Sequence, residues 1–273
     1  VKILEVTNLQ MSGLEPYRTL RRPVEHQKKG IFVAEGEKVV RRLLESRIPV
    51  QSLLITPEWF SVYRPILEMR GEEIVIFLAP KQLLERIVGF HLHQGIMAIA
   101  SIPSPVPLEK IIESSNPPYL FVAIDGLTNA ENLGVLVRNC AAFGVQALLV
   151  GETSSTPFLR RAVRNSMGAV FKLPVVQVED LAETLHSLRH KGILTIAAHP
   201  HTEQTDLWDV DVQRSCCLVF GSEGEGIRES VVRACEYHAA IPMLNGVDSL
   251  NVASASAVFL AEVMRRRRRG GST

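Results

Sequence analysis

Five short apolar runs in the second half of the chain constrain its fold more than any other feature: residues 119–124, 147–150, 193–198, 216–220 and 237–241. A strand with one wet face alternates apolar and polar residues. These runs do not, so both faces of their sheet must be covered, which predicts a parallel or mostly parallel sheet. Helix-like segments separate them: 133–143, 158–167, 180–191 with Leu181, Leu185 and Leu188 on one side, 227–234 and 252–266. One more strand is expected at 170–176, around Pro174. The alternation reads as an α/β domain over residues 118–266.

The first half repeats the pattern on a smaller scale. Strands are expected at 31–34, 52–56, 74–78 and 95–101. Between them lie a helix at 37–45, whose apolar face is Val39, Val40, Leu43 and Leu44, a helix at 57–70 broken at Pro65, and a helix at 80–88. Residues 16–102 therefore read as a small α/β module, and residues 1–15 as a loose lead-in. Pro103, Pro105, Pro107, Pro117 and Pro118 mark residues 103–117 as a semi-rigid linker. At the other end, five consecutive arginines from Arg265 to Arg269 open a basic tail, residues 267–273, expected to be solvated and frayed.

The formal net charge is only +1, so binding to nucleic acid would have to come from local patches. Two such patches stand out: Arg21, Arg22 and Lys28 near the start, and Arg160, Arg161 and Arg164 at helical spacing. The second patch reads equally as a solvated helix face. The cysteines, Cys140, Cys216, Cys217 and Cys235, form no C-x-x-C pair and read as small core residues of a reducing compartment. His199 and His201 have no third ligand nearby, so no metal is expected. No apolar run approaches the roughly 18–20 residues that span a bilayer, and no signal-peptide pattern is visible. Together these predict a cytoplasmic chain without a membrane partner.

Three loops follow apolar runs and collect polar residues. The first, Asp125 to Arg138, places Asn132 as an N-cap and Arg138 on an otherwise apolar helix. Arg138 either snorkels to solvent or reaches a phosphate or reacting group. The second is Phe220-Gly-Ser-Glu-Gly-Glu-Gly226. Its glycines lack the dinucleotide order and the phosphate-binding lysine. Glu223 and Glu225 would repel a pyrophosphate, so the loop suits a ligand with hydroxyls or positive charge, such as a cationic adenosine derivative. A tight turn with two exposed acids is the plainer alternative. The third runs from Ile241 through Pro242 and Gly246 to Ser249, Leu250 and Asn251 at a helix start. It reads either as two caps and a turn or as a ligand loop at the carboxyl end of a strand.

In order and spacing, Asn132-Leu-Gly…Arg138, Phe220-Gly-Ser-Glu-Gly-Glu-Gly226 and Ile241-Pro-Met…Ser-Leu-Asn-Val252 resemble the three motifs of the SpoU branch of the SPOUT RNA methyltransferases. Residues 16–102 resemble the substrate-binding module often found ahead of it, through Phe32-Val-Ala-Glu-Gly-Glu37 and Gln94-Gly-Ile-Met-Ala98. The resemblance implies an S-adenosylmethionine-dependent methyltransferase acting on a ribose 2′-hydroxyl of structured RNA, with rRNA favoured over tRNA. It also implies a deep trefoil knot in residues 118–266 and a homodimer formed through that domain. By position it implies catalytic roles for Asn132, Arg138, Glu223, Ser249 and Asn251. Gly221, Ile241, Met243 and Leu250 would hold the cofactor, with Ala198 at the end of another wall strand. RNA contacts are expected from Arg160, Arg164, Arg21, Arg22 and Lys28. Ala253 departs from the family's usual serine, at a helical position where little is expected to be lost. A binder that keeps the fold without catalysis is the competing class, against which the intact polar set argues.

Overall fold

A computed structural model of the chain describes residues 1–92, 94–200 and 205–270. The chain forms two compact units, Val1–Ser104 with Phe158–Phe171, and Pro105–Pro157 with the chain from Lys172 onward. His201 and the last three residues of the expected tail lie outside the described residues.

The first unit contains β1 (Lys2–Glu5), α1 (Glu15–Arg18), α2 (Pro23–Lys28), β2 (Ile31–Glu35), α3 (Glu37–Leu44), β3 (Val50–Ile55), α4 (Pro57–Met69), β4 (Val75–Leu78), α5 (Lys81–Val88) and β5 (Ile96–Ser101). Its sheet has the order β1-β4-β3-β5-β2 and is mixed: β4 pairs in parallel with β1 and β3, and β5 antiparallel with β3 and β2. The expected loose lead-in is instead the edge strand β1. Its side chains are largely exposed, so it shows no apolar pattern, yet Val6, Leu14 and Tyr17 just beyond it are buried and fasten the segment down. Tyr17 is fully buried and shares a 2.9 Å hydrogen bond with Ser52 Oγ. The break expected at Pro65 does not occur, since α4 runs through it. The proline removes one N–H, and the carbonyl that N–H would have met belongs to Ser61, an exposed residue.

The second unit contains α6 (Leu108–Ser114), β6 (Leu120–Asp125), α7 (Ala130–Ala142), β7 (Ala147–Val150), β8 (Val175–Gln177), α9 (Leu181–His190), β9 (Leu194–Ala198), β10 (Cys216–Gly221), α10 (Glu229–Ala234), β11 (Tyr237–Ala239) and α11 (Val252–Gly270), α8 (Arg160–Asn165) having passed to the first unit. Its sheet, β11-β9-β10-β6-β7-β8, is parallel at every pairing. All six residues of β6 are buried, as two covered faces require. On one face α6, α9 and α10 contribute Leu108, Leu185 and Val231 to a core with Phe121 and Val219. On the other, α11 packs on β10 and α7, with Phe259 edge-on to Phe220 at 5.6 Å.

Several expectations change here. The 103–117 linker contains α6, whose Leu108 and Ile111 belong to the second core. The strand expected at 170–176 is a 3-10 turn, Ala169–Lys172, followed by β8, because Pro174 lacks an N–H and offers only its carbonyl, which accepts from Leu148 N at 2.9 Å. The arginine run does not fray. α11 continues through it, Arg265 and Arg266 both hold Glu262, and Arg267 donates to the carbonyls of Pro118, Tyr119 and Arg214 at 2.8–3.0 Å. Spacing explains the change: Glu262 lies three and four residues before its partners on one helix face.

Candidate active site

Strands β9, β10 and β11 end side by side, at Ala198, Gly221 and Ala239, and these ends open into a cavity of about 250 Å³. Open parallel sheets bind ligands at such carboxyl ends. One wall is apolar, made by Phe220, Val252 and Phe259. The opposite rim is the glycine-rich loop, which folds back so that Ser222 and Gly226 exchange two backbone hydrogen bonds of 3.1 Å. Gly221 allows this closure: a Cβ there would lie 2.2 Å from the carbonyl carbon of Gly226. At Gly224 the space a side chain would occupy is open.

The structure brings together four of the five residues expected to be catalytic. Asn251 donates through Nδ2 to Asn132 Oδ1 at 3.0 Å and to Glu223, and so joins all three loops. Its Oδ1 accepts from Ala253 N at 2.9 Å, which caps α11 and fixes the amide's orientation. Ser249 lines the same cavity as Glu223. Arg138 stands apart: it is exposed on α7 and has no hydrogen bond or ion pair among the described residues. It therefore behaves as neither a packed nor a paired arginine. Asn132 is not the N-cap of α7. Asn129 takes that place, accepting from Glu131 N and Asn132 N at 2.9 and 3.0 Å, which leaves the Asn132 side chain free to meet Asn251.

Gly221, Ile241, Met243, Leu250 and Ala198 all line the cavity. His199, weighed from sequence only as a metal ligand, and Ser222 line it too. Asn139 was also missed. It follows Arg138 on α7 and donates to Ala253 O at 2.8 Å and Ser256 Oγ at 3.0 Å, docking α7 against α11 beneath the polar cluster. An amide in an apolar helix was the signal available for it.

The expected RNA-binding arginines divide. Arg160 is ion-paired with Glu35, lies over the Phe90 ring and is largely buried, so its charge is already matched within the first unit. Arg164 is half exposed and bonds the same carboxylate at 3.1 Å. Arg22 pairs with Glu25 at 3.1 Å on the surface. Arg21 and Lys28 are exposed and carry no ion pair among the described residues.

Comparison with known proteins fits this geometry. Residues 119–261, more than half of the chain, match the SpoU rRNA Methylase family, and residues 33–106 match the RNA 2′-O ribose methyltransferase substrate-binding family. An uncharacterized tRNA/rRNA methyltransferase of Mycobacterium tuberculosis is 31% identical over 260 residues, covering 92% of this chain and 88% of the relative. The 23S rRNA (guanosine-2′-O-)-methyltransferase RlmB of Pseudomonas aeruginosa is 36% identical over 179 residues, 64% of this chain and 71% of its own. The crystal structure of an AdoMet-bound rRNA methyltransferase from Sinorhizobium meliloti shares the fold, with a TM-score of 0.83 at 24% identity over 96% of this chain and 98% of that one. The chain belongs to the SpoU rRNA methylase family: it is a SpoU-type, S-adenosylmethionine-dependent RNA 2′-O-methyltransferase with an N-terminal substrate-binding domain.

Proposed function

We propose that the cavity at the ends of β9, β10 and β11 holds S-adenosylmethionine and that the Asn132–Glu223–Asn251 cluster at its rim receives a ribose 2′-hydroxyl of rRNA. The observation that carries this reading is the single amide of Asn251, which bonds residues from both other loops beside the cavity. The residues present fit the cofactor. Phe220 and Phe259 offer an apolar wall to an adenine. Open space in front of Gly224 admits close approach to backbone. Glu223 and Glu225 put negative charge where a sulfonium would be favoured and a pyrophosphate repelled.

Bound there, S-adenosylmethionine would supply an electrophilic methyl group. The chain's own residues orient and stabilise. Asn132, Glu223, Ser249 and Asn251 hold the ribose and the loops. An arginine guanidinium such as that of Arg138 donates hydrogen bonds and offers no acceptor. Its unpaired guanidinium suits a neighbouring phosphate and the negative charge that develops on the 2′-oxygen. Gly221, Ile241, Met243, Leu250 and Ala198 would contact the cofactor. Arg21, Arg22, Lys28 and the exposed part of Arg164 would track RNA phosphates.

The same reading takes the chain as a cytoplasmic homodimer with a trefoil knot in the second unit. Exposed Val135, Leu244, Val247 and Leu250 are apolar surface that a second copy would cover. Insertion of β10 between β9 and β6, and the return of α11 onto α7, support the knot. Among the described residues no helix is long and apolar enough to cross a membrane.

The test is transfer of labelled methyl from S-adenosylmethionine to unmodified rRNA and tRNA pools, followed by nucleoside analysis, with sedimentation to read the assembly. A 2′-O-methyl nucleoside in rRNA is the expected product. Product in tRNA alone overturns the substrate, and cofactor binding without transfer to either pool favours a non-catalytic binder.

A further inference from the structure

The two ends of the cavity's glycine-rich rim meet at one residue of β6, one through the backbone pairing and the other through its buried carboxylate. Asp125, the last residue of β6, is fully buried and stands opposite Gly221 in the β10 pairing, where the rim begins. Its Oδ2 accepts from the backbone N–H of Arg228, where the rim ends, at 2.8 Å, and its Oδ1 accepts from Arg228 Nε at 2.8 Å. Oδ1 also accepts from Thr153 Oγ1 at 3.2 Å, and that hydroxyl in turn accepts from Gly126 N at 3.0 Å. Arg228 reaches on to Glu152 Oε1 at 2.6 Å, and Glu152 Oε2 accepts from Leu181 N, the first residue of α9, at 3.1 Å. The hydrogen bond to Asp125 holds the Arg228 guanidinium above its ordinary pKa, against the opposing effect of burial.

Neither Asp125 nor Arg228 lines the cavity. Ser222, Glu223 and Gly226, between the anchored ends, do. Asp125 also begins the loop that delivers Asn132. We infer that Asp125 and Arg228, braced by Glu152, are positioning residues for the methyl-transfer reaction. Their ion pair locks residues 221–228 and the start of the 125–132 loop into one frame, so that the rim is already shaped before the cofactor arrives. This rests on the assignment of the cavity to S-adenosylmethionine.

Physical reasons favour a lock over a general stabilising contact. A planar guanidinium fork and a backbone N–H from one residue, aimed at both oxygens of one carboxylate, fix direction as well as distance. Rigid loop ends lower the ordering cost of binding, which appears in affinity for the cofactor and not in the chemical step.

The test compares the unaltered chain with Asp125→Asn, which keeps the size of the side chain and removes its charge. Calorimetric affinity for S-adenosylmethionine should weaken roughly tenfold, the scale of one hydrogen bond to a charged group. Amides of residues 222–228 should exchange faster with solvent. The KM for the cofactor should rise while kcat at saturating cofactor and RNA stays within about threefold. In the double variant Asp125→Asn/Arg228→Gln the loss should be no greater than in Asp125→Asn alone. A lowered melting temperature with unchanged cofactor affinity and unchanged loop exchange would overturn the inference, as would losses that multiply in the double variant. If Asp125→Asn does not fold, Glu152→Gln at the outer brace takes its place, with an expected loss of about threefold and the same overturning result. Failure of the unaltered chain to bind S-adenosylmethionine removes the cofactor assignment instead, and loop exchange in the variants still judges the lock.

Discussion

Arg160 of the first unit, on an arginine-rich helix, and Arg138 of the second, on an otherwise apolar one, are treated oppositely by the structure. Arg160 is enclosed, paired with Glu35 and stacked on Phe90. Arg138 is exposed and makes no hydrogen bond or ion pair among the described residues. The difference lies in what the fold supplies from far away: Glu35 is 125 residues from Arg160 in the chain. A cation on a helix points to chemistry only where no such partner arrives. In the first unit the Arg160 charge is matched by a mostly buried carboxylate, and in the second the Arg138 charge is left exposed on α7.

Truncation of the two arginines should separate them most sharply. Arg138→Ala should lower kcat by about two to three orders of magnitude, with cofactor affinity by calorimetry largely unchanged. Normal turnover in that variant would break the comparison at once. Arg160→Ala should instead destabilise the first unit by about 3 kcal/mol in denaturant unfolding, by removing one partner from a mostly buried pair. Its kcat at saturating substrates should stay near that of the unaltered chain.

Charge within the second unit gives a smaller, pH-dependent effect. Hydrogen bonds from Arg265 and then Arg266 hold the Glu262 carboxyl down from 4.5 to about 2. Its folded pKa lies below the unfolded one, so its stabilisation is complete above pH 4.5 and disappears as pH falls toward 2. Glu262→Gln should flatten the loss of stability across that window, followed by circular dichroism. The smallest effect belongs to the exposed cations. Arg21→Ala or Lys28→Ala should each weaken RNA binding modestly and reduce the salt slope by about one, without changing the melting temperature.

The parallel sheet of the second unit was legible because its strands are apolar runs without polar alternation, a pattern that two covered faces permit. The cavity was legible because each of its loops leaves such a strand and is marked by glycine or proline. Residues whose meaning depends on a distant partner were not legible. Arg160 and Arg164 looked like a free cationic face until Glu35 met both of them, and Arg267 looked like a frayed tail until three carbonyls turned toward it. The edge strand β1 was hidden for a different reason: exposed side chains on an edge leave no periodicity to read. Asn132 was mistaken for a cap because Asn129, three residues earlier, offers the same side chain to the same helix end.

The passage of residues 158–171 from one unit to the other makes the boundary near residue 104 a poor place to divide the molecule. The strands on either side of it, β7 and β8, are neighbours in the second sheet, while Phe158 and Phe171 lie 5.3 and 5.6 Å from Phe32 in the first. A gene cut after Ser104 would yield an N-terminal fragment missing part of its aromatic core and a C-terminal fragment carrying an unclothed apolar excursion. Each half inherits a debt to the other, so exchange of substrate-binding modules between such enzymes would have to carry this inserted segment along with the module it completes.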